Sequence, residues 1–110
     1  MSVAAVVVTF MPDLKELHIA LLETAAQVSM MFVVDNGSKS ESLSKMLYED
    51  NRLNHIELIE LPENQGIAVA QNIGIKAARA HQATHVLLMD QDSMPAPNMV
   101  HELLQALESL

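Results

Sequence analysis

Apolar residues in this chain gather in four short runs, and the stretches between them carry apolar positions at helical spacing. The runs are VAAVVVTF (residues 3–10), MMFVVD (30–35), HIELIEL (55–61) and HVLLMD (85–90). Three are continuous or nearly so, as parallel strands covered on both faces are. The third alternates, with Ile56, Leu58 and Glu60 on one side and Glu57, Ile59 and Leu61 on the other. That pattern suits an edge strand.

Between the runs, Leu14, Leu17, Leu21, Ala25 and Val28 repeat at helical intervals, and Asp13 with Glu16 three residues on forms an acidic start signal. A second helix is expected from Ser38 and Glu41, with Leu43, Met46 and Leu47 on one face. A third opens near Gly66 and spaces Ile67, Ala70, Ile73 and Ala77. A fourth starts at Pro97 and aligns Val100, Leu103, Leu104 and Leu107. Strand and helix thus alternate four times, with no repeat or low-complexity tract. The expected fold class is α/β: a three-layer open parallel sheet of four strands, helices on both faces, forming one domain over residues 1–110. The last helix reaches Leu110 without a Gly or Pro stop signal, which reads as a chain cut short.

In such a sheet ligands bind beyond the carboxyl ends of the strands, where strand order reverses. The unusual polar residues obey that rule. The first run ends at Thr9-Phe10, the second in DNGS (35–38), the third leads into PENQG (62–66) and the fourth ends in DQDS (90–93). Asn36, Gly37 and Ser38 read as a tight turn and a helix cap. Asp35 closes an apolar strand where a hydrophobe would pack better, so it is a candidate acceptor for a nucleobase N–H. Gly74 sits inside a helical pattern at a cost of about 1 kcal/mol relative to Ala, which close packing on the sheet would explain. Asn72 beside it is a candidate contact to phosphate or ribose. The helix N-terminus near Gly66 offers free N–H groups to an anion. If Asp90 and Asp92 remain extended they point to one side, and two like charges there call for a cation. Mg²⁺ or Mn²⁺ accepts one or two carboxylates and completes its shell with water and phosphate oxygens.

Composition narrows the partners. The chain has 110 residues and a formal net charge of −8, with six basic and fourteen acidic side chains. That argues against a nucleic-acid surface or an anionic membrane patch, both of which need clustered Lys and Arg. There is no cysteine, so thiolate metal sites and disulfides are excluded. The first apolar run lacks a basic flank and is too short to span a bilayer. A soluble, cytoplasmic domain is expected. The five histidines and eight methionines read as packing or surface residues, although His81 and His85 are four apart.

With these residues in place, the chain resembles the amino-terminal half of family 2 glycosyltransferases of the GT-A fold, nearest their bacterial rhamnosyltransferase branch. The matching text is VVVTFMPD, VVDNGS, ENQGIAVAQNIGI and VLLMDQDS, in order along nearly the whole chain. The resemblance implies strand order 3-2-1-4 and a nucleotide-diphosphate sugar as ligand, dTDP-rhamnose first and UDP-sugars next. It further implies inverting transfer to a saccharide acceptor hydroxyl in bacterial surface polysaccharide synthesis. It assigns Thr9 and Phe10 to the base, Asp35 to base recognition and Asn72 to a place near the nucleotide. Asp90 and Asp92 match the D-x-D that holds ribose and the metal-bound diphosphate, with Asp92 the expected direct ligand. Two positions depart from the pattern: Met11 stands where many relatives carry Asn, and Gln71 where they often carry a basic residue. The family's acceptor half and its catalytic carboxylate base lie beyond the D-x-D region. The fragment alone is therefore expected to be inactive, with apolar surface that favours a homo-oligomer, while membrane association of a full-length protein is left open. The competing expectation is a non-catalytic nucleotide-binding or dimerising module. A phosphatase of the D-x-D-x-T/V kind fits poorly, because that motif ends a first strand and Met94 holds the last position here. A dinucleotide oxidoreductase is disfavoured because no G-x-G-x-x-G follows the first run.

Overall fold

A computed structural model describes residues 2–110. It contains β1 (Val3–Thr9), α1 (Leu14–Ala25), β2 (Met30–Asp35), α2 (Glu41–Glu49), a 3-10 turn (Asn51–Leu53), β3 (Ile56–Glu60), α3 (Ile67–Ala80), β4 (His85–Asp90) and α4 (Met99–Glu108). The strands form one parallel sheet in the order β3-β2-β1-β4. This is the α/β architecture that the run pattern predicts.

The period-2 alternation of each strand sorts its side chains between two cores. On one face Ala5, Val7, Met31 and Val33 meet Leu17 and Leu21 of α1 and Leu43 and Leu47 of α2. On the other, Ala4, Val6, Phe32 and Val34 meet Ala70 and Ala78 of α3. β3 divides as its alternation requires, Ile56 and Leu58 joining the first core and Ile59 and Leu61 the second. Small residues bring α3 close to the strands. A Cβ on Gly74 would stand 2.3 Å from Val6 Cγ1 and 3.2 Å from Val34 Cγ2, so this glycine is a packing requirement.

Three local expectations change. β4 lies at the edge of the sheet, as the order 3-2-1-4 requires, but it is not covered on both faces as its apolar run suggests: Val86 and Leu88 remain 39% and 45% exposed on the α3 side. An apolar run records the sequence's hydrophobicity but not whether a neighbour lies beside it. The cap of α2 is Ser40, whose hydroxyl accepts from Leu43 N at 3.3 Å; Ser38 is engaged elsewhere. α4 begins at Met99, past Pro97, and is anchored by buried Val100. The Gln27 side chain holds that start, donating to Ala96 O and accepting from Val100 N. Asp13 does cap α1, accepting from Glu16 N at 3.1 Å. Among the described residues no helix is long and apolar enough to cross a membrane.

Gly74→Ala tests the packing of α3. The added methyl should gain about 1 kcal/mol of helix propensity but overfill a closed space at a cost of about 1–3 kcal/mol. A net loss of stability in urea denaturation is expected; a gain would show that α3 can lift from β1 without penalty.

Candidate functional site

The strand order reverses between β1 and β4. From β1 the chain moves outward to β2 and β3, and α3 then carries it back across the sheet to β4. A crevice opens at this switch point, as the topology of open parallel sheets requires. The cleft of about 410 Å³ is lined by Val8, Phe10, Asn36, Asn64, Ile67, Asp90, Gln91 and Asp92. Four segments remote in sequence therefore meet at one rim.

Its floor is organised by Asp35, which is 3% exposed. Oδ1 accepts from the Thr9 hydroxyl at 2.8 Å and from the Ser38 hydroxyl at 2.7 Å, while Oδ2 accepts from Ser38 N at 2.9 Å. Of roughly four acceptor positions on a carboxylate, one on Oδ2 stays free of these bonds. Thr9 is fully buried, so its hydroxyl serves the floor and does not line the cleft. Ser38, in turn, accepts from Met11 N at 2.7 Å. The loop after β3 is braced on the same floor. Asn36 Oδ1 accepts from Gln65 N at 2.9 Å, and Asn64 Oδ1 accepts from Gly66 N at 2.9 Å. Gly37, at φ +90°, is required where the two loops touch: a Cβ there would fall 2.6 Å from the Glu63 carbonyl carbon.

The other wall is acidic. Asp90 and Asp92 both line the cleft, but not by extended alternation. β4 ends at Asp90, and a turn closed by Ser93 N donating to Asp90 O at 3.1 Å carries the chain through Asp92. Both carboxylates are exposed, and no Lys, Arg or His among the described residues pairs with either. Opposite them, α3 begins at Gly66 without a side-chain cap. The N–H groups of Ile67, Ala68 and Val69 are left without helical partners, and the positive end of the helix dipole faces the rim. The cleft thus joins two carboxylates to a set of free amide donors. That pairing accommodates an anion together with a hard cation. Among the described residues no group of three potential metal-ligating side chains exists. Two carboxylates alone match Mg²⁺ or Mn²⁺, which draw further oxygens from water and substrate phosphate.

Phe10, Asp90 and Asp92 therefore come together around the cleft, with Asp35 and Thr9 beneath it. Asn72 does not join them: it is exposed along α3 and does not line the cleft. Helical periodicity alone left its facing undetermined. Asn64, Ile67 and Gln91 line the cleft without having been singled out from sequence. The N-x-G context of Asn64 was a turn signal, whereas nothing local marked Gln91.

A more open cavity of about 680 Å³ lies apart from the rim beside His18, Lys45, Asp50 and Arg52. Arg52 donates to Asp50 through Nε at 3.0 Å and Nη2 at 2.9 Å, and the His18 ring meets Asp50 Oδ2 at 2.7 Å. These partners, Arg52 first, hold the Asp50 carboxyl well below the usual carboxylate range, and the same bonds push Arg52 upward. With its donors and acceptors matched internally, this cluster ties α1 to the 3-10 turn.

Comparison with known proteins agrees with the geometry. The profile described as "Glycosyl transferase family 2" matches residues 5–110. The dTDP-rhamnosyl transferase RfbF of Shigella flexneri is 36% identical over 92 residues, covering 84% of this chain and 30% of that protein. Glycosyltransferase sll0501 of Synechocystis sp. is 30% identical over 97 residues, again 84% of this chain and 29% of the relative. The crystal structure of S. aureus TarS 1-349 superposes with a TM-score of 0.75 at 21% identity, over 99% of this chain and 33% of that one. This chain therefore spans about 30% of the length of these curated relatives.

Met11 supplies a test within the rim itself. It adopts φ 48°, a left-handed conformation that costs an L-residue about 1–2 kcal/mol and that Asn tolerates better. Since Met11 is 69% exposed, Met11→Asn should raise stability in urea denaturation by about 0.5–1 kcal/mol. A loss would mean that the methionine side chain is needed where it lies.

Proposed function

The chain belongs to glycosyl transferase family 2, and on that premise we propose that it is the nucleotide-sugar-binding part of a glycosyltransferase. Its donor is a nucleoside diphosphate sugar, dTDP-rhamnose first and a UDP-sugar next, and its acceptor is a saccharide hydroxyl. One observation carries the reading. Two exposed carboxylates without cationic partners share the switch-point cleft with an uncapped helix N-terminus. In a chain of net charge −8, that arrangement suits a diphosphate accompanied by a divalent ion.

The residues divide the ligand by chemistry. Phe10 presents an aromatic face to the base, and the free acceptor position of Asp35 Oδ2 receives a base N–H. Asp90 takes ribose hydroxyls. The amides opening α3 bond the phosphate oxygens. Asp92, with Asp90, would hold Mg²⁺ or Mn²⁺, which when bound offsets the negative charge of the diphosphate. Transfer itself is inverting: the acceptor oxygen attacks the anomeric carbon as the bond to the diphosphate breaks. The electron pair leaves with the diphosphate, and the hydroxyl proton passes to a carboxylate base. No residue of this chain is assigned as that base.

Titration with dTDP and with UDP, in the presence and absence of Mn²⁺, tests the reading. Binding should depend on the metal, and Asp92→Ala should weaken it at least about tenfold, on the order of 1.4 kcal/mol. Nucleotide binding indifferent to both metal and substitution would instead favour a non-catalytic nucleotide-binding module.

A further inference from the structure

The residue between the two aspartates has a task of its own. The β1–β4 ladder aligns Val8 with Asp90, at the last residue of β4. The pairing is continued by a side chain. Phe10 N donates to Gln91 Oε1 at 2.7 Å, and Gln91 Nε2 donates to Phe10 O at 3.2 Å. Both halves of one amide thus grip the backbone of one residue. The donor and acceptor ends are fixed by this pairing, since the flipped amide would set donor against donor.

Phe10 has no other means of being so held. Phe10 is 45% exposed, so packing alone does not fix its position. The following residue bends through the left-handed turn at Met11 and is tied to Ser38 and, through it, to Asp35. The loop after β1 is accordingly fastened at two points, to the β2 end by Ser38 and to the β4 end by Gln91. Gln91 also lies inside the Asp90–Ser93 turn that presents both carboxylates. One side chain therefore joins the aromatic wall of the cleft to its acidic wall. Asp, Glu or Ser could not reproduce the grip. A carboxylate has no donor for Phe10 O, and a serine hydroxyl cannot reach both groups.

We propose that Gln91 is a positioning residue, whose amide sets the distance between the Phe10 face and the Asp90–Asp92 pair so that base and diphosphate are taken together. The inference rests on the nucleotide-sugar reading of the cleft and adds how its two halves are registered. A rim already ordered this way loses less conformational freedom on binding.

Gln91→Met, similar in size and unable to form either bond, tests this in the 110-residue chain. Four quantities are read: melting temperature, dTDP affinity with Mn²⁺, affinity for Mn²⁺ alone, and the Phe10 amide proton signal without metal. The variant should stay folded, with a melting temperature lowered by several degrees at most, roughly 4–8 °C per kcal/mol lost, and should keep the wild-type Mn²⁺ affinity. It should lose dTDP affinity on the order of tenfold and lose the downfield shift and slow exchange of the Phe10 amide. If the variant binds dTDP within about twofold of wild type, the role of Gln91 is wrong while the site reading stands. Equal losses of Mn²⁺ and dTDP affinity would also overturn it, because Gln91 would then act on the acidic turn alone. Wild-type protein that binds neither dTDP nor UDP would remove both the role and the reading beneath it.

Discussion

A carboxylate buried at the end of β2 holds the rim of this protein together. Asp35 is almost wholly removed from water, and an ionised group in such a place is costly unless it is hydrogen-bonded. Three donors from two segments satisfy it: the Thr9 hydroxyl, the Ser38 hydroxyl and the Ser38 amide. Bonds to a charged acceptor are worth on the order of 1.5–3 kcal/mol each, so the set over-determines where β1 and β2 end. Ser38 then passes the constraint to Met11, and Asn36 passes it to the loop that starts α3. The cleft above is shaped by bonds made below it.

This division of labour separates residues that build the cleft from residues that line it and, on our reading, meet a ligand. Thr9, Ser38, Asn36 and Gln91 have their polar groups turned on the protein itself. Asp90 and Asp92 line the cleft with exposed carboxylates, and Phe10 lines it as an aromatic residue. The sheet supplies the rest, because a reversal of strand order leaves a crevice between β1 and β4 that no crossover covers. The acidic wall is tolerable only because it is exposed. Solvent, and on our reading a cation, can screen the two like charges there.

Much of this was legible in the sequence, for physical reasons. Strand and helix periodicities are local, so β2 and β4 matched their predicted runs residue for residue, and the alternation of β3 foretold its split between two cores. Gly74 was readable because a glycine inside an alanine-rich helix needs a steric cause. The D-x-D and the DNGS turn stood out because polar residues ended apolar strands. What escaped were matters of tertiary neighbourhood. The open face of β4 depends on what lies beside it. Ser38 looked like a helix cap until Asp35 was seen to claim it, and Ser40 stood two residues on to replace it. Asn72 is exposed on α3 and is not among the residues that line the cleft. Gln91 finds its partner 81 residues away, at a backbone group that every residue possesses, so no side-chain pattern could announce it.

The central claim is that a prebuilt rim at the β1–β4 switch point accepts a nucleoside diphosphate without rearranging its floor. A crystal structure of the chain with dTDP and Mn²⁺ tests it most directly. The account predicts diphosphate oxygens between the start of α3 and the Asp90–Asp92 turn, the base against Phe10, and Asp35 still bonded to Thr9 and Ser38. A nucleotide seated in the His18–Arg52 cavity, or a rim that binds it only after breaking the Asp35 contacts, would contradict the account.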